Sequence, residues 1–117
     1  MPEHKPTRVE KPWGHELIWA RTERYVGKVL HIKAGHALSL QYHRAKDETI
    51  HVLTGTMRFQ TGPGDALTDS VLQPGDSFHI TPGLRHRMIA ETDCDILEAS
   101  TPELDDVVRL EDRYGRK

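Results

Sequence analysis

Four side chains able to hold a divalent ion fall into a short register along this chain: Gln41, His43, Glu48 and, further on, His86. A period of two puts Gln41 and His43 on one face of one strand. Glu48 opens the next strand, and the short loop between them lets the carboxylate fold back beside the imidazole. His86 opens a third strand, just after the turn Pro82-Gly83. Two imidazoles, one carboxylate and one amide oxygen form a ligand set for a borderline divalent ion such as zinc, manganese, iron, cobalt or nickel. Fewer than six protein ligands would leave positions open for water or substrate, which marks a catalytic site. The other histidines, His4, His15, His31, His36, His51 and His79, share no such register and read as surface or satisfied side chains.

The elements that must position these groups are short strands. Tyr25 to Ile32 is an apolar-rich run, and Ala37 to His43 alternates with Leu38, Leu40 and Tyr42 on one side. Glu48 to Leu53, then Gly55, then Thr56 to Gln60 reads as a hairpin, with a Gly/Pro turn cluster after it. Val71-Leu72, Ser77 to Ile80, His86 to Ala90 and Cys94 to Ser100 complete seven or eight strands at close spacing. That pattern predicts an all-β sandwich or barrel. Gly35, Gly55, Gly75 and Gly83 stand where tight turns need positive φ or no side chain. Residues 1–12 are polar and proline-containing, and read as a mobile or strap-like arm. Residues 102–117 are acidic, then carry the small apolar patch Val107-Val108-Arg109-Leu110, and read as a tail with a short helix or turn.

Composition sets the outer bounds. A chain of 117 residues has room for one domain and one core. With 16 Lys+Arg against 18 Asp+Glu, the net charge of −2 argues against a nucleic-acid binder working by bulk charge. Cys94 is the single cysteine, which suits a reducing compartment. No apolar run approaches the roughly 20 residues of a membrane span, and the N-terminus lacks a signal-like apolar stretch. The expectation is a cytoplasmic protein with neither a nucleic-acid nor a membrane partner.

These two segments are similar to the two motifs of the cupin superfamily, with His43, Glu48, Gly75, Gly83 and His86 in agreement. Lys11-Pro-Trp-Gly14, Leu38-Ser-Leu-Gln-Tyr-His43, His86-Arg87 and Glu111-Asp-Arg-Tyr-Gly-Arg116 resemble, within it, the type II phosphomannose isomerases, in which Gln takes the first ligand position. The resemblance implies an all-β double-stranded β-helix, the cupin or jelly-roll barrel, as a single domain over residues 13–101, with the tail packing on or beside it. It implies a divalent metal held by Gln41, His43, Glu48 and His86, and often a homodimer, which the lean apolar content of 36% also favours. Lys28 and Arg87 fall on family cations and Glu98 on a family Glu of the final strand. The chain departs from the family at Ala45 and Lys46, where His and Arg are usual, and at Ile50, Thr81 and Ala90.

The implied reaction is aldose–ketose exchange between mannose 6-phosphate and fructose 6-phosphate. Moving a proton between C1 and C2 of a sugar needs a base near neutral pH and stabilisation of enediolate charge. Glu98 is the candidate base, because Cys94, Ile96, Glu98 and Ser100 share one strand face that can point inward. Lys28, Lys46 and Arg87 are the candidate substrate-binding cations for a phosphorylated sugar, with Lys46 offering an ammonium in place of a bidentate guanidinium. Two rivals use the same scaffold: a non-catalytic sugar- or metal-binding module, and a cupin dioxygenase.

Overall fold

Alternating side chains drive the architecture. In the last long strand Cys94, Ile96, Glu98 and Ser100 are buried, while Asp95, Leu97 and Ala99 face outward. The computed structural model describes residues 5–64 and 66–116; His4 and the rest of residues 1–4 lie outside them. The strands are β1 (Thr7–Lys11), β2 (Gly14–Arg21), β3 (Val26–Ile32), β4 (Leu40–Tyr42), β5 (Glu48–Thr54) and β6 (Met57–Gly62). They continue with β7 (Thr68–Leu72), β8 (Ser77–Ile80), β9 (Arg85–Ala90), β10 (Cys94–Ser100) and β11 (Val108–Glu111). There is no helix among the described residues, and so none long and apolar enough to cross a membrane.

A six-stranded sheet runs β1-β2-β3-β10-β5-β8 and a five-stranded sheet runs β11-β4-β9-β6-β7. From β4 onward the chain passes repeatedly from one sheet to the other, which gives the jelly-roll its winding. The two sheets bury a shared core of Trp13, Leu30, Ile50, Phe59, Met88 and Ile96. Such side chains contribute roughly 1.5–3 kcal/mol each when fully buried.

Two glycine turns bring the halves of the site together. Gly55 has φ +86, and a Cβ there would stand 2.2 Å from the Asp93 carbonyl oxygen, so no other residue fits the β5–β6 hairpin unchanged. Gly83 has φ +85 and its N–H donates to the His43 carbonyl at 2.7 Å, tying the turn before His86 to the end of β4.

Both chain ends contribute a strand that the sequence reading did not list. Within the expected arm, Thr7–Lys11 forms β1, paired antiparallel with β2. Of the short helix or turn expected in the tail, the described residues form turns at Leu104–Asp105 and Arg113–Tyr114 and no helix; β11 pairs with β4, because Val108-Arg109-Leu110-Glu111 supplies backbone partners to an otherwise open strand edge. Strand β2 is also absent from the sequence reading, and it carries one wall of the site.

Candidate metal centre and its cavity

His43, Glu48 and His86 are 4%, 3% and 1% exposed, and one ligand atom of each lies within 4.8 Å of the others. His43 Nε2 stands 3.0 Å and His86 Nε2 3.5 Å from the same oxygen, Glu48 Oε1. The two imidazole rings are 5.2 Å apart, tilted by 49°. Gln41 lies directly across the β4–β9 pair from His86 and lines the same cavity as His43 and Glu48.

The ring nitrogens facing away from this point settle what faces it. His43 Nδ1 donates to the Asp106 carbonyl at 2.6 Å, and His86 Nδ1 donates to the Leu84 carbonyl at 3.0 Å. A carbonyl only accepts, so each Nδ1 holds the proton and each neutral ring turns an Nε2 lone pair inward. Both lone pairs then meet a carboxylate oxygen, itself an acceptor, and buried His86 Nε2 has no hydrogen-bond partner. Three acceptors converging on one dry point are matched by a cation placed between them. The donor set therefore fits a borderline divalent ion. Burial pushes the Glu48 carboxyl upward, and the Lys46 ammonium 3.0 Å from its Oε2 pulls it the other way.

Around this point the cavity encloses about 300 Å³, at the small end of the roughly 300–1,000 Å³ typical of small-molecule sites. Glu98 faces into it from β10 and is 4% exposed. Burial, reinforced by the negative charge of Glu48 and opposed by Lys46 and Lys28, pushes its carboxyl up to about 7. Lys46 Nζ sits between the two carboxylates, 3.0 Å from Glu48 Oε2 and 3.4 Å from Glu98 Oε2. Burial alone would lower the Lys46 pKa; the two neighbouring carboxylates raise it instead. Lys28, directly across from Glu98 in the β3–β10 register, pairs with Glu16 at 3.3 Å.

Gln41, His43, Glu48, Lys28, Lys46 and Glu98 thus share one cavity wall system, with His86 beneath them. Arg87 does not join them. It follows His86 on β9, so the strand period turns it to the opposite face, where its Nη2 meets Glu111 Oε2 at 2.7 Å. The remaining histidines are accounted for elsewhere: His36 meets Tyr114, His31 meets Asp95, His51 meets Ser77 and His79 meets Asp47. His15 stacks on His31.

Several cavity residues escaped the sequence reading. Glu16 and Arg21 come from the unread strand β2, and Asp105 and Arg109 from the tail. Arg116, from the motif Glu111-Asp-Arg-Tyr-Gly-Arg116, also lines the cavity and is held by Asp112 at 2.9 Å. The available signal for Glu16 was its two-residue offset from Ile18 before the stronger run at Val26.

The Cupin domain family model matches residues 28–99, and the chain belongs to the cupin family. It is 36% identical over 97% of its length to mannose-1-phosphate guanylyltransferase ManC of Salmonella typhimurium, of which the match covers 24%. It is 31% identical over 93% of its length to the xanthan biosynthesis protein XanB of Xanthomonas campestris, again covering 24% of that protein. The chain spans about a quarter of the length of these curated relatives. Among solved structures, it matches the capsular polysaccharide assembling protein CapF of Staphylococcus aureus with a TM-score of 0.76 and 18% identity, covering 93% of this chain and 35% of that one. It matches KdgF of a Halomonas species with a TM-score of 0.70 and 22% identity, covering 88% and 90%. Those two likenesses concern the fold.

Proposed function

We propose that the chain is a metal-dependent aldose–ketose isomerase of a phosphorylated sugar, with mannose 6-phosphate as the first substrate to test. The observation that carries this reading is the buried His43–Glu48–His86 cluster sharing a cavity with the inward-facing carboxylate of Glu98. The sugar-phosphate names of the sequence relatives support the substrate class. Their nucleotidyl transfer is not carried over, since the match covers only 24% of ManC.

His43, Glu48 and His86, joined by Gln41, would hold the ion. When bound, a divalent ion supplies polarisation of the carbonyl and hydroxyl oxygens of a sugar. Glu98 takes the proton from C2 of the open-chain aldose and returns it to C1, while the C2 hydroxyl proton passes to O1 as the C2 carbonyl forms, or the reverse. Its burial keeps bulk water from competing for that proton. Lys46 bridges Glu98 and Glu48 by pairing with both, and Lys28, paired with Glu16, lends positive charge to the same wall. Two copies of the chain forming a homodimer belong to the same reading; a monomer in sedimentation at micromolar concentration would remove that part.

One observation favours a second reading, a sugar- or metal-binding module without turnover. Both cavity lysines expected to hold a phosphate are engaged by carboxylates, at 3.3 Å for Lys28 and 3.0 Å for Lys46. Proton NMR of metal-loaded protein with mannose 6-phosphate in D2O separates the readings. Isomerisation gives fructose 6-phosphate with deuterium entering at the transferred position. Binding shifts without product point to the module, and oxygen uptake with a sugar substrate points to a dioxygenase.

A further inference from the structure

Asp106 lies in the C-terminal segment, well away in sequence from both motifs, yet its carboxylate and its carbonyl both reach the stretch from His43 to Lys46 that joins two of the candidate metal ligands. Its carboxylate Oδ1 accepts from the Arg44 backbone N–H at 3.0 Å. Its Oδ2 accepts from the N–H groups of Ala45 and Lys46, at 2.7 and 2.8 Å. Three successive N–H groups turned toward one anion form a concave nest, a geometry that fixes backbone direction residue by residue. The carbonyl of the same Asp106 accepts from His43 Nδ1 at 2.6 Å. One residue therefore sets both the tautomer and plane of the His43 ring and the path of the chain from His43 to Lys46.

The next contact along continues the pattern. Asp47 N–H donates to Thr101 Oγ1 at 2.9 Å, and Thr101 N–H donates to the Asp47 carbonyl at 3.0 Å. The whole loop 44–47 is thus docked on residues 101–106. Glu48 begins immediately after it, and Lys46 reaches from it to Glu48 and Glu98.

We propose that Asp106 is a positioning residue of the metal centre, holding His43 and the start of β5 so that the ring nitrogen and the Glu48 carboxylate converge before any ion arrives. The inference rests on the metal reading above and adds that the C-terminal segment is part of the centre. Partners that orient metal ligands in this way typically contribute about 10–100-fold to metal affinity.

The test compares full-length wild type, Asp106→Asn and Glu103→Gln, the last altering an exposed acidic side chain of the same segment. Asparagine keeps the shape but replaces one acceptor oxygen with a donor, so at least one of the three backbone N–H groups loses its partner. Co2+ is titrated into metal-free protein and followed by calorimetry and by its visible d–d absorption. The expected result is affinity lower by at least about tenfold in Asp106→Asn, with a shifted visible spectrum, and Glu103→Gln matching wild type. Equal affinity and an unchanged spectrum in a folded Asp106→Asn would overturn the proposal while leaving the metal reading intact. Failure of the wild type to bind Co2+ would overturn both. Long-range 15N NMR of wild-type protein serves if Asp106→Asn does not fold. His43 protonated at Nδ1, with hydrogen exchange slowed by the Asp106 carbonyl, supports the proposal, and His43 protonated at Nε2 overturns it.

Discussion

The Lys46 ammonium lies 3.4 Å from the Glu98 carboxylate, and their side chains are only 6% and 5% exposed. The same ammonium pairs with Glu48, so it bridges a candidate base and a candidate ligand. Lys46→Met removes that charge and leaves two carboxylates facing each other in a dry site. The expected loss in metal-free protein is about 3 kcal/mol, at the low end for a broken buried pair because Glu98 can take up a proton. Chemical denaturation measures it; a loss below about 0.5 kcal/mol, as at an ordinary exposed site, would contradict the pairing.

Glu98→Gln preserves size and removes the proposed base. Turnover of the phosphorylated sugar should fall by at least about a hundredfold, within the range that general bases contribute, while metal content stays at the wild-type level. Single-turnover assays with elemental analysis of the same samples test both halves. Retained turnover would move the base elsewhere in the cavity.

Lys28 and Arg87 were expected to act alike and now separate. Lys28 lines the cavity and Arg87 faces Glu111 on the other side of β9. Lys28→Ala should raise KM about tenfold, the value of a lost charge-assisted contact, and Arg87→Ala should leave KM within about twofold. Steady-state kinetics with the phosphorylated sugar decides it, and a reversed pattern would return Arg87 to the substrate.

A pH effect is expected on the outer sheet face. Burial pushes the Asp95 carboxyl up, but hydrogen bonds from His31 and Thr54 outweigh it and hold it below its ordinary value. A carboxyl depressed by folding contributes stability above its unfolded pKa, near 3.9, and loses that contribution as pH falls through its folded value. The difference in thermal midpoint between wild type and Asp95→Asn should therefore be full at about pH 6 and shrink below about pH 4. An unchanged difference at both would refute the sign.

The candidate site was legible where strand period and turn chemistry act together. Gln41, His43, Glu48 and His86 could be placed because the alternation fixes their face and the turn at Gly83 fixes where β9 begins. Glu98 was legible through Cys94, Ile96 and Ser100, which bury the same face of β10. Strand β2 was not, because most of its residues are half-buried on both faces and a register shift between Ile18 and Ala20 breaks the alternation at Trp19. Asp106 was not legible either: its role is to accept backbone N–H groups about sixty positions earlier, and an acidic residue in an acidic tail gives no local sign of that. Arg87 lies outside the described cavity. A family match carries residue type, but one step along a strand from His86 reverses the face.

Metal stoichiometry tests the central claim most directly. Protein isolated without chelator should hold close to one divalent ion per chain by elemental analysis, and His43→Ala and His86→Ala should each empty the site while remaining folded. Gln41→Ala should weaken binding without abolishing it, since three ligands remain. Absence of stoichiometric metal in the wild type, or metal content unchanged in both histidine variants, would contradict the account.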